Sequence, residues 1–150
     1  MRYNDAIIRW TKIATILFIA MAIVADVFGI TITQYIAFCW AEVFDMARVA
    51  TLAVIFYLGT VGGYFVLFSL LRLLTNMSKD KVFDRANTKL MGIITISLVA
   101  IAVDCTVGGF IWNGAWILAI VALFMALIVM SVKVVFDKAI TMKEEMDLTI

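Results

Sequence analysis

Residues 49–71 are 23 positions without a charge and residues 105–132 are 28 more, where a helix needs about 20 apolar residues to cross a bilayer. These runs exclude an ordinary water-soluble globule. The composition agrees, with 65% of residues apolar and 15% charged, against roughly half and a quarter in soluble domains. The chain reads as an integral membrane protein.

A first apolar stretch, 13–25, follows a basic start of Arg2, Arg9 and Lys12 and continues past Asp26 to about residue 32. Ala20-Met21-Ala22 after that start resembles a signal-peptide cleavage pattern, but apolar character runs on beyond the cut, so the stretch is read as span one. Spans two, three and four fall at about 50–74, 90–109 and 115–136. Gly108-Gly109 and Asn113-Gly114 are the turn signals that divide the last two. The expected architecture is all-α: a four-helix membrane bundle forming a single domain over 1–150, with a tail at 137–150.

Eleven of the twelve Lys and Arg residues lie in the N-terminal tail, the loop between spans two and three, and the C-terminal segment. The positive-inside rule therefore puts both termini and the middle loop in the cytosol and the protein in the cell (plasma) membrane. Trp10, Trp40, Trp112 and Trp116 fall near the expected interfaces, as an aromatic belt would have them.

The chain has no His, which removes the commonest general base and transition-metal ligand, and no Pro. No catalytic motif is present, so a non-enzymatic role is expected, without cofactor, metal or catalytic residue. A net charge of +1 without a basic patch interleaved with aromatics argues against direct nucleic-acid binding. Membrane lipid is the first expected partner.

Asp26 and Asp104 carry ionisable groups inside spans, which costs several kcal/mol unless they are paired or hydrated. Counting about 1.5 Å per residue from Lys12 and Lys89 puts both roughly 21 to 23 Å in, in the outer third. They can form a shared acidic pocket, closed by Arg48, for a cation, a proton or a small basic ligand; or each can be a structural tie to the headgroups or to Arg48. The outer connection 33–49, with Tyr35, Phe38, Trp40 and Phe44, suits a short interfacial helix or an extension of span two, either a lid over the acidic pair or a segment resting on the bilayer. Cys39 and Cys105 both fall towards the outer side, with no C-x-x-C spacing. Gly59 and Gly63 form a G-x-x-x-G, read as helix packing within the bundle or between copies.

In the middle loop, Asp84 is placed to cap the helix of span three, and Val82 and Phe83 are apolar residues that dock on the bundle or meet a partner. Span four should continue as a helix through Phe136, Ile140 and Lys143. Met146, Leu148 and Ile150 then alternate with polar residues, as an extended peptide laid against a partner would, or as a frayed end would.

Lys81-Val82-Phe83 with Asn87 and Leu90, together with Phe136, Ala139 and the ending Lys143-Glu144-Glu145-Met146-Asp147-Leu148-Thr149-Ile150, resembles the domain of unknown function 2975 family of small four-span bacterial membrane proteins. Met146 stands where that family has Asn, and Asp80 where it has Gly. The resemblance implies a membrane partner of a small cytosolic helix-turn-helix regulator, with Val82, Phe83, Asn87, Lys143, Glu144, Glu145, Asp147, Leu148 and Ile150 as docking residues. The competing expectations are a small homo-oligomeric transporter or channel using Asp26 and Asp104, and an accessory or immunity subunit of a larger membrane complex.

Overall fold

A computed structural model describes residues 2–79 and 81–149, with side chains from residue 5 onward; Asp80 and Ile150 lie outside the described residues. Five helices follow one another: α1 (Arg2–Val27), α2 (Gly29–Tyr35), α3 (Met46–Met77), α4 (Arg85–Gly109) and α5 (Gly114–Leu148), with a π-helical turn at Ile36–Trp40 after α2. Among the described residues there is no strand. In hydrocarbon every backbone N–H and C=O must be satisfied within the protein, which a helix does by itself. Four of the helices, α1, α3, α4 and α5, are long and apolar enough to cross a membrane.

Polar residues within these helices are handled locally. The hydroxyls of Thr15, Thr33, Thr95 and Thr106 each donate to a backbone carbonyl four residues earlier, at 2.7 to 2.9 Å. Such back-bonding leaves little hydroxyl capacity for partners on other helices.

Asp45 caps α3 by accepting from the Ala47 amide at 3.1 Å, and Asp84 caps α4 by accepting from the Ala86 amide at 2.9 Å, satisfying amides that the first helical turn leaves free. The helices pack mainly in chain order: α1 on α3, α3 on α4, α4 on α5. The bundle is therefore an open row. Most of the large apolar side chains of α1 and α5 face outwards, as they must where lipid is the solvent.

The first predicted span, 13–32, is broken at Phe28 without a proline. Tyr57 of α3 donates its hydroxyl to the Asp26 carbonyl at 3.1 Å, and a side chain inserted into the backbone ladder is a recognised cause of a kink. Gly29 makes room for it, because a Cβ there would lie 2.7 Å from the Tyr57 oxygen and 2.9 Å from Phe56 Cε1.

Beyond the break, the outer connection divides: residues up to Trp40 continue from span one as α2 and the π-helical turn, and 46–49 extend span two as the first turn of α3. The connection folds over so that Ala37, fully buried, packs with Val49 and Leu52 of α3 and with Ile111 and Trp112 of the α4–α5 turn. Glu42 reverses the chain at φ 52°. Trp112 is half-buried in this cluster, while Trp10 and Trp40 are exposed.

Candidate functional site

Two places hold the residues singled out above, one inside the bundle and one at the end that carries the α3–α4 loop and the tail of α5.

The inner place is a cavity of about 370 Å³. Its main wall is one stripe of α3 at helical spacing, which includes Leu52, Phe56, Gly59 and Gly63; α4 contributes Asp104 and Cys105, and Thr33 and Ile36 close it from the outer connection. That connection is therefore part of the cavity wall.

The two glycines were read as a packing motif. Gly59 does approach α4 closely, but what it approaches is the carboxylate: a Cβ there would sit 3.2 Å from Asp104 Oδ2. A Cβ on Gly63 would meet nothing within 4 Å, so a packing role for Gly63 within this chain is corrected. The tight contact with α4 falls to Gly62, where a Cβ would lie 2.7 Å from Ile101 Cγ1. On this stripe Gly59 and Gly63 open a space.

Asp104 is the charged residue in that space. Its Oδ2 is buried with no hydrogen-bond partner among the described residues. The nearby hydroxyls are committed elsewhere, Thr33 to the Gly29 and Ile30 carbonyls and Thr60 to the Tyr57 carbonyl, each at 2.9 Å. Along α4, Asp104 is about five residues from the helix end. On α3 its neighbour Gly59 is about 11 residues from Arg48 and about 13 from Arg72, near the middle of the uncharged run.

Asp26, Asp104 and Arg48 do not surround one pocket, which corrects the shared acidic site with an arginine closure. Asp26 Oδ2 accepts from the Tyr64 hydroxyl at 2.6 Å, and Asp26 does not line the cavity. At 100° per residue Tyr57 and Tyr64 share one face of α3, and Gly59 falls nearly opposite. Asp26 thus turns to a tyrosine of α3 and not into the cavity. Arg48 is exposed and lies 4.0 Å from Asp45, one helical turn away. Cys39 and Cys105 are both free thiols, the first exposed and the second on the cavity wall.

At the other end, the loop and the tail are joined. Arg85 makes a two-pronged pair with Glu144, Nε to Oε1 at 2.9 Å and Nη2 to Oε2 at 2.5 Å. The hydrogen bonds from this guanidinium hold the Glu144 carboxyl below its usual range. Phe83 lies over Phe136 with ring centroids 6.1 Å apart. Lys143, Glu144, Glu145, Asp147 and Leu148 are all exposed, Val82 is half-buried, and Phe83, Met142, Lys143, Glu145 and Met146 line one shallow groove.

Two expectations change here. Asn87 is 0% exposed and so cannot touch a partner; it organises the loop. Its amide donates to the Lys81 and Val82 carbonyls at 2.6 and 2.9 Å, and its carbonyl accepts from Asn76 at 2.9 Å. The tail is also not an extended peptide. α5 stays helical through Leu148, because 143–146 holds good helix formers with no Gly or Pro to stop it and the Arg85 pair holds one of its turns.

Asn87 and Gly62 were the sites whose roles the sequence did not show. The fully buried asparagine leaves no mark in hydropathy, and the motif spacing passes over Gly62 in favour of its neighbours.

Four apolar helices long enough to span a membrane, with an acid in a half-open cavity between them and an ion-paired loop and tail, define an all-α integral membrane protein. The chain belongs to the family described as Protein of unknown function (DUF2975), matched over residues 4–150. Comparison with curated proteins and with solved structures finds no match.

Proposed function

We propose that the protein is a non-enzymatic regulatory component of the bacterial cell membrane, with both termini cytosolic, whose middle loop and C-terminal helix hold a small cytosolic helix-turn-helix regulator. The observation that carries this reading is the joining of loop and tail. Arg85 and Glu144 lock the two segments together, and the surface they form presents Phe83, Met142 and Met146, 52%, 58% and 62% exposed. Lys143 and Glu145 flank these apolar side chains in the groove. Apolar anchors rimmed by charge are the pattern of a protein-binding surface.

Family resemblance supplies the class of partner. The transporter alternative draws less support, because Asp26 bonds Tyr64 and does not share the cavity that holds Asp104. The accessory-subunit alternative predicts that the groove takes a membrane protein instead.

The test is affinity purification from the native host of the full-length chain, a chain ending at Lys143, and Met146→Asp, with bound proteins identified by mass spectrometry. The expected result is a helix-turn-helix protein that follows the full-length chain and is lost from both variants. Its absence from all three, or the recovery of membrane proteins alone, overturns the reading.

A further inference from the structure

The cavity beside Asp104 has a composition that selects its occupant. Its walls are apolar side chains and glycine backbone, and a volume of about 370 Å³ falls within the roughly 300 to 1,000 Å³ typical of small-molecule sites. At about 30 Å³ for each water-sized group, it holds roughly a dozen heavy atoms.

A carboxylate without a partner inside a span is costly. Here the nearby threonine hydroxyls are already used by their own helix backbone, and Asp104 Oδ2 has no donor among the described residues. Gly59 and Gly63 keep the space next to it clear. A ligand that fits must bring apolar bulk and one donor.

We infer that this cavity binds an apolar molecule carrying a single protonated amine, held by a charge-assisted hydrogen bond to Asp104 with its hydrocarbon part along the Gly59–Gly63 stripe of α3. The amine belongs either to a free amphiphile or to the headgroup of an aminolipid. The site is distinct from the groove at the loop and tail, and the inference does not rest on the docking reading. A ligand here would touch α3, α4 and the outer connection at once.

Trp112 lines the cavity and serves as the reporter. Full-length protein in nanodiscs of phosphatidylcholine and phosphatidylglycerol, which carry no primary amine, is titrated with 10-bromodecylamine, and quenching is read as the difference from Trp112→Phe. Neutral 1-bromodecane is the control for partition into lipid.

Saturable quenching by the amine beyond that of the neutral control is expected. Asp104→Asn should weaken it roughly tenfold to a hundredfold, the range for a hydrogen bond to a charged group. Gly63→Leu should abolish it by filling the space with the carboxylate left in place, which keeps the test decisive should Asp104→Asn not fold. Asp26→Asn should leave it unchanged.

Phosphatidylethanolamine added to the nanodiscs then identifies the source: competition assigns the amine to a lipid headgroup, and its absence to a free amphiphile. Equal quenching by the amine and the neutral bromide, or binding indifferent to both Asp104→Asn and Gly63→Leu, would mean that an acyl chain fills the cavity and would overturn the inference. Loss of the docking partner in the purification above would leave this result untouched.

Discussion

Asn87 holds three hydrogen bonds with one buried amide, so Asn87→Ala leaves two loop carbonyls and the Asn76 amide without their partner at once. A loss of about 2 to 3 kcal/mol is expected, read as a lowered unfolding midpoint in detergent. The adjacent glycines of α3 should respond in opposite directions. Gly62→Ala pushes a methyl into Ile101 and should cost about 1 to 3 kcal/mol. Gly63→Ala enters open space and should stabilise by up to about 1 kcal/mol through helix propensity alone. If both changes proved equally harmful, the cavity wall would be wrongly drawn. The spacing of these glycines was plain in the sequence, but which one touches a neighbour depends on how α4 lies against α3, which no pattern within α3 encodes.

Among the elements, the long apolar stretches, divided by the turn signals at Gly108-Gly109 and Asn113-Gly114, were sufficient to find the four long helices, because hydrocarbon enforces length and polarity more strictly than water does. What escaped notice was set from outside each element. The break at Phe28 depends on Tyr57, whose hydroxyl bonds the Asp26 carbonyl from 31 positions further along the sequence, and Tyr57→Phe should straighten the α1–α2 joint, measurable as a longer distance between spin labels placed at its two ends. The tail is the converse case, since its alternating apolar residues suggested an extended peptide or a frayed end while its helix formers and the Arg85 contact keep it helical through Leu148. Glu144 has a carboxyl pKa lowered by Arg85, so the pairing that holds the tail is fully present above the ordinary glutamate range near about 4.3 and is lost as the pH falls through the lower folded value. Spin-label mobility at residue 148 should rise over that acidic window and be high at all pH values in Glu144→Gln. Arg85→Glu should free the tail at neutral pH, and adding Glu144→Arg should restore it.

At the scale of the whole molecule, the distribution of charge predicts which end faces the cytosol, and one thiol tests it. With Cys105 replaced by Ala, a membrane-impermeant maleimide added to intact cells should label the exposed Cys39; labelling only after lysis would invert the orientation and move the proposed docking face to the wrong side. The fold class was legible because the solvent dictates it. The cavity was only half legible: Asp104 stood out as a charge in a span, but that Asp26 turns to Tyr64 and stays out of the cavity follows from how α1 lies against α3. The serial packing of the helices also bears on biogenesis. Each long helix after the first packs against the spanning helix that precedes it in the chain, so as the ribosome delivers the spans in turn, every newcomer meets a surface already in the membrane.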